Sequence, residues 1–191
     1  MQDKKIIGVI PARYQSSRLP GKPLKDIHGK PMIYWVAKRV EASDLKEYFV
    51  ATDDDRIFDI CQEYLIPCVM TSKKCLNGTE RIAELASKVK ADYYVNVQGD
   101  EPCIDISAIN IFVASLRRYS KVNFIQAVSK ITNNNLLLDD SIVKVAMTED
   151  NEVLYYSRSP IPYPRGVNKN EAVYYRCLGL YLYSRDFLYK Y

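Results

Sequence analysis

At 191 residues, 48% hydrophobic and 26% charged, the chain suits a single globular domain with room for one small arm. A net charge of +4 without a dense basic run excludes a nucleic-acid surface, and no apolar segment reaches the ~20 residues that span a bilayer. One histidine excludes a Ser-His-Asp triad or a multi-histidine metal centre. Five cysteines (Cys61, Cys68, Cys75, Cys103, Cys177), with no CxxC spacing, argue against a disulfide framework or a zinc site and fit free thiols in a reducing cytoplasm.

Met1-Gln2-Asp3-Lys4-Lys5 leads into the first element without a signal-peptide core. Ile6-Ile7-Gly8-Val9-Ile10 reads as a strand buried on both faces. A loop with three cations, Arg13, Arg18 and Lys22, follows, with Ser16, Ser17 and Gly21 among them. Such a loop between a buried strand and a helix is where α/β proteins hold phosphates, although a solvated basic loop is the plainer reading. His28 falls in a turn and carries no chemistry. Residues 31–42 read as a helix with Met32, Trp35, Val36 and Val40 on one side.

Residues 48–52 read as a second buried strand, ended by Asp53-Asp54-Asp55. Those acids suit a cation or, more simply, the N-cap of the next helix. A third strand covers residues 66–70. Asn77-Gly78 then makes a turn, and Thr79 is placed to cap a helix carrying Ile82, Leu85, Ala86 and Val89. Residues 93–97 form a fourth strand, ended by Gln98-Gly99-Asp100-Glu101-Pro102. Four strand–loop–helix repeats predict a Rossmann-like, mostly parallel α/β sheet flanked by helices.

Beyond residue 103 the rhythm changes. Residues 104–119 read as a helix, 123–128 as a strand and Asn133-Asn134-Asn135 as a loop. Residues 143–147 and 153–157 flank Thr148-Glu149-Asp150-Asn151 as a hairpin. A proline-rich stretch with Arg158 and Arg165 precedes an aromatic strand over 174–183, and a helix begins at residue 184. A smaller antiparallel arm over 143–183 is therefore expected within the one domain.

Ligands of open parallel sheets gather at the carboxyl ends of the strands. Three polar loops fall there: residues 13–22, 77–81 and 98–101. The first offers cations for a polyphosphate. The last offers Asp100, a carboxylate directly after a buried strand, as in enzymes that hold Mg²⁺ against nucleotide phosphates. Cations and a metal carboxylate, without a covalent nucleophile, point to phosphoryl or nucleotidyl transfer by positioning and charge neutralisation. Neither GxxxxGK[ST] nor GxGxxG is present. Asp100 as a turn residue, residues 77–81 as a plain helix start, and Arg158 and Arg165 as loop charges remain the simpler alternatives.

Pro11-Ala12-Arg13 with Ser16-Ser17-Arg18-Leu19-Pro20-Gly21-Lys22-Pro23-Leu24 resembles the signature of the 3-deoxy-manno-octulosonate (Kdo) cytidylyltransferases, the CMP-Kdo synthetases. So do Asn77-Gly78-Thr79-Glu80-Arg81, Asn96-Val97-Gln98-Gly99-Asp100-Glu101-Pro102, Val143-Lys144-Val145, Tyr156-Ser157-Arg158 and Gly179-Leu180-Tyr181. The motifs run in family order across nearly the whole chain. The resemblance implies a nucleotidyltransferase fold and a reaction in which CTP and a 2-keto-3-deoxy sugar acid give a CMP-sugar and pyrophosphate, for lipopolysaccharide or capsule synthesis.

The resemblance also implies roles. Arg13, Ser17, Arg18 and Lys22 would hold the triphosphate; Arg13, Lys22 and Asp100 would be the catalytic set, with Asp100 holding Mg²⁺. Asn77, Gly78, Thr79 and Arg81 would lie on the cytosine side. Gln98, Arg158, Arg165, Cys177 and Tyr181 would face the sugar, Arg165 meeting its carboxylate. Cys177 stands where the family usually has histidine, and Asn77 where it has serine, which leaves the choice of sugar open. Family members continue past the position of Tyr191, and a second metal-binding aspartate is expected in that further portion. Sialic acid cytidylyltransferases share the opening logic. A nine-carbon acid is therefore an alternative substrate, and nucleotide binding without turnover an alternative function. The family expectation is a cytoplasmic homodimer.

Overall fold

The computed structural model describes residues 4–15, 19–116, 119, 122–165 and 172–191. They divide into two compact units, Met1–Ile125 with Gly179–Tyr191, and Gln126–Leu178.

In the first unit the strands are β1 (Ile6–Ala12), a small hairpin β2 (Asp26–Ile27) and β3 (Lys30–Pro31), then β4 (Tyr48–Thr52), β5 (Cys68–Met70) and β6 (Tyr93–Val97). Four of these pair in parallel in the order β5-β4-β1-β6. The helices are α1 (Met32–Glu41), α2 (Asp55–Glu63), α3 (Gly78–Lys88) and α4 (Ile106–Ser115). The mostly parallel sheet flanked by helices is thus present as the apolar runs predict.

Every residue of β6 is buried, the pattern of a strand covered on both faces. On one face Ile7, Val9 and Ala51 pack with Ile82, Leu85 and Ala86 of α3. On the other, α1 sends Ile33, Val36, Ala37 and Val40 inward. Each such side chain contributes roughly 1.5–3 kcal/mol by leaving water. Gly8 sets how near this layer comes: a Cβ there would lie 3.1 Å from Leu45 and 3.2 Å from Val40.

The sequence gives no direction for the aromatic strand, and the structure does. Its last residues run antiparallel to β6, pairing Leu180 with Val97 and Ser184 with Tyr93. This strand, β10 (Tyr175–Ser184), leads to a short helix α6 (Arg185–Leu188). Tyr181, Tyr183 and Phe187 stack in series, with Phe124 against all three.

The second unit holds most of β7 (Phe124–Lys130), then α5 (Asn134–Leu138), β8 (Lys144–Met147), β9 (Val153–Ser157) and the beginning of β10. β8 and β9 form the expected antiparallel pair, with Val145 opposite Tyr156. The three asparagines expected as a loop instead start a helix, because Asn133 Oδ1 accepts the Asn135 amide at 2.9 Å and caps α5. Among the described residues no helix is long and apolar enough to cross a membrane.

Candidate active site

Three loops leave the carboxyl ends of β1, β5 and β6. The first is closed by a bond from the Gly21 amide to the Tyr14 carbonyl, 2.8 Å. Gly21 adopts φ +68, and a Cβ there would lie 3.0 Å from the Tyr14 ring. Both the left-handed backbone and the close ring therefore call for glycine. The Arg56 guanidinium covers the same ring at 3.3 Å from its centroid. A 3₁₀ turn over Lys22–Leu24 follows directly, so Lys22 issues from a fixed corner.

Lys22 Nζ reaches Asp100 Oδ2 at 2.6 Å, joining the first loop to the loop after β6. The side chains are 34% and 49% exposed, so the pair stands open to solvent. The Asp100 loop is a tight turn in which the Glu101 amide donates to the Gln98 carbonyl, 3.2 Å. Gly99 fits it onto β1: a Cβ at Gly99 would come 2.8 Å from the Pro11 carbonyl oxygen. Gln98 is anchored by its amide bond to the Gly179 carbonyl, 3.2 Å, and by its side chain on Asn96. Arg13 follows β1 and is exposed.

The loop before α3 passes close to the same proline: a Cβ added at Gly78 would meet Pro11 Cγ at 3.4 Å. Its cap differs from the expected one. Asn77, not Thr79, caps α3: its Oδ1 accepts the Glu80 amide at 2.9 Å. Glu80 reaches back to the Leu76 amide at 2.7 Å and to Asn77 Nδ2 at 3.0 Å, closing a reciprocal cap. Thr79 is displaced by two positions into the first turn, where its hydroxyl meets the Tyr183 hydroxyl at 3.3 Å.

Arg81 is turned inward. Its side chain, 3% exposed, holds Asp53 at 2.9 Å and the Thr71 hydroxyl. Thr71 in turn bonds the Thr52 carbonyl at 2.9 Å. Of the three acids after β4, Asp53 is thus committed to Arg81, while Asp54 caps α2. The Arg56 guanidinium holds the Asp54 carboxyl below its ordinary range. Among the described residues no group of three or more His, Cys, Asp or Glu gathers to hold a metal ion. Asp100, partly exposed at the end of β6 and not tied to a buried guanidinium as Asp53 is, offers a carboxylate that fits a Mg²⁺ whose other ligands are nucleotide phosphates and water.

Arg158, Arg165 and Cys177 belong to the second unit. Arg158 and Arg165 are exposed and Cys177 is half-buried. Burial pushes the Cys177 thiol above its ordinary value. Arg158 donates through Nη1 to the carbonyls of Asp140 (2.7 Å) and Ser141 (2.9 Å). Tyr181, in the first unit, is half-buried in the aromatic stack. Ser17 and Arg18 lie outside the described residues. Residue-level reasoning misses Pro11 as the shared support, Glu80 as the second half of the cap, and Lys144, a lysine in an otherwise apolar strand. That contrast is the signal that marks Lys144.

A lysine and a carboxylate brought together across two strand-end loops of a parallel sheet, beside a capped helix start, define a nucleotidyltransferase rather than a covalent catalyst. A family model described as cytidylyltransferase matches residues 7–191. The chain is 41% identical over 189 residues to the 3-deoxy-manno-octulosonate cytidylyltransferase of Fusobacterium nucleatum subsp. nucleatum, covering 98% of this chain and 76% of the relative. It is 42% identical over 188 residues to a protein of that name from Escherichia coli, covering 98% and 75%. A solved CMP:2-keto-3-deoxy-manno-octonic acid synthetase complexed with CTP superposes with a TM-score of 0.91 at 41% identity, over 98% of this chain and 77% of that one. A cytidylyltransferase from Leptospira borgpetersenii, at 18% identity and a TM-score of 0.65, shares the fold over 98% of this chain and 63% of its own. The chain belongs to the 3-deoxy-manno-octulosonate cytidylyltransferase family.

Proposed function

We propose that the protein activates 3-deoxy-D-manno-octulosonate with CTP, releasing pyrophosphate and CMP-Kdo. The anomeric hydroxyl oxygen attacks the α-phosphorus in line, the bond from that phosphorus to the β-phosphate oxygen breaks, and the hydroxyl proton is released. The observation that carries this reading is the 2.6 Å pairing of Lys22 with Asp100 at the strand ends, in a chain 41% identical to a synthetase complexed with CTP.

Lys22 and Arg13, with Arg18 and Ser17 of the same loop, neutralise charge on the triphosphate as pyrophosphate departs. Asp100 holds Mg²⁺, which when bound supplies charge neutralisation at the phosphates. Before nucleotide arrives, Lys22 and Asp100 satisfy one another; phosphate and metal offer each a partner of higher charge. Asn77, Gly78 and Thr79 form the cytosine side, and Arg81 acts from beneath by tying α3 to Asp53. Gln98, Tyr181, Arg158, Arg165 and Cys177 are the residues assigned to the sugar, Arg165 meeting its carboxylate. The arm over residues 143–183 also supports a homodimer, favoured by Leu154 and Tyr155 of β9, 66% and 63% exposed. The synthesis is placed in the cytoplasm.

Pyrophosphate release that requires CTP, Mg²⁺ and sugar together is the expected result, lost on the order of 100-fold or more in Asp100→Ala. Release without sugar overturns the reading. A nine-carbon sialic-type acid run alongside tests the alternative sugar, and calorimetric CTP binding without product in mass spectrometry would identify a nucleotide binder without turnover.

A further inference from the structure

Lys144 is fully buried, at 0% exposure, in the middle of the second unit. Its Nζ donates to three carbonyl oxygens: Asp139 at 2.5 Å, Ile142 at 3.1 Å and Arg158 at 2.8 Å. Three acceptors match the three N–H donors of an ammonium. None of these partners is a carboxylate. The Asp139 carboxylate turns instead to the Ser141 amide, 2.8 Å. Carbonyl dipoles alone therefore replace the water that burial removes, and such a site persists only when its geometry is well satisfied.

The turn over residues 139–142 is laced from a second direction by Arg158, whose Nη1 takes the Asp140 and Ser141 carbonyls. All four carbonyls of that turn thus meet either Lys144 or Arg158, and Lys144 also holds the Arg158 backbone. Main chain and guanidinium of one exposed arginine are fixed together. The guanidinium's other edge, Nε with Nη2, has no partner among the described residues, and that edge is the fork that receives a carboxylate in two parallel bonds.

We propose that Lys144 is a positioning residue for the acidic substrate. It holds the 139–142 turn and the Arg158 backbone so that Arg158 presents its Nε–Nη2 edge to the carboxylate-bearing sugar. This rests on the reading above that Arg158 serves the sugar. A filler of the β8 core would require no ammonium; methionine has similar reach without the desolvation cost.

The test is steady-state kinetics on the full chain for the wild type, Lys144→Met, Arg158→Ala and the double variant. Lys144→Met raises the KM for the sugar about tenfold, as expected when a group that orients a ligand-bearing side chain is lost. The KM for CTP stays within about twofold, and the double variant is no worse than Arg158→Ala alone. Equal rises in both KM values, or additive effects in the double variant, overturn the inference while leaving the activity in place. If Lys144→Met does not fold, Lys144→Gln, which keeps two donors, is read in its place. Failure of both to fold assigns Lys144 to the fold alone and overturns the inference. A wild type that forms no CMP-sugar overturns the parent reading, and this inference with it.

Discussion

Lys22 and Asp100 are a third and a half exposed, and an ion pair so open to water is worth no more than about 1 kcal/mol. Asp100→Asn is therefore expected to move the Tm by less than about 4 °C while abolishing turnover, a separation read by calorimetry and pyrophosphate assay on one sample. Arg81 behaves in the opposite way. Its guanidinium is buried on Asp53, and Arg81→Met leaves that carboxylate unpaired at a cost of about 3 kcal/mol. The expected fall in Tm is roughly 6–12 °C. Two glycines form a sharper contrast. Gly99→Ala places a methyl 2.8 Å from a backbone oxygen and must shift the Asp100 turn, with a loss in kcat on the order of 100-fold. Gly78→Ala meets only ordinary contact at 3.4 Å and changes stability by less than about 1 kcal/mol. None of these distinctions is legible in sequence. Arg13, Lys22, Asp100 and Arg81 all read as polar residues in loops at strand ends, and only the fold reveals that one faces inward.

At the scale of elements, the parallel core was the legible part. β1, β4 and β6 are largely apolar runs, with only Thr52 and Asn96 as polar members of β4 and β6, and the helices between them keep a clean 3.6-residue period, so burial specifies them. β10 reads as a strand from sequence, but its partner and direction do not follow, because aromatic alternation does not encode which edge it joins. The cap at Asn77 is hidden in the sequence for a similar reason. Asn and Thr are both good caps, and only the reach of Glu80 to the preceding amides decides between them. Three aspartates cap or pin element ends here: Asp54, Asp105 and Asp139. Bonds from Arg56, Ser107 and Ser141, respectively, hold all three below the ordinary aspartate value. Because the folded state depresses them, their contribution is fully present above the unfolded value of about 4 and is lost as pH falls through the folded values. Thermal melts from about pH 6 down to about pH 3 should show that loss. Asp105→Asn keeps the cap and flattens the dependence, since an amide accepts the same bond but does not titrate.

For the whole molecule, the edge position of β9 and its exposed apolar side chains make the oligomeric state the relevant measurement. Light scattering on eluting protein is expected to give the mass of two chains, and Leu154→Glu with Tyr155→Glu to give that of one. The rest of the molecule's behaviour turns on how few supports its functional loops share. The loop before α3, which we propose faces the base, and the Asp100 loop, which we propose carries the metal, both pass Pro11: a Cβ added at Gly78 would meet its side chain at 3.4 Å and one added at Gly99 its carbonyl oxygen at 2.8 Å. On the proposed assignment, nucleotide preference and metal geometry share one support in this scaffold. A lineage, or a designer, that rebuilds residues 77–80 for a different base with a side chain larger than alanine at position 78 will press on Pro11, whose carbonyl oxygen also bounds the Asp100 turn. Successful changes of donor nucleotide should accordingly arrive with compensating substitutions at positions 11 or 99, far in sequence from the base they accommodate.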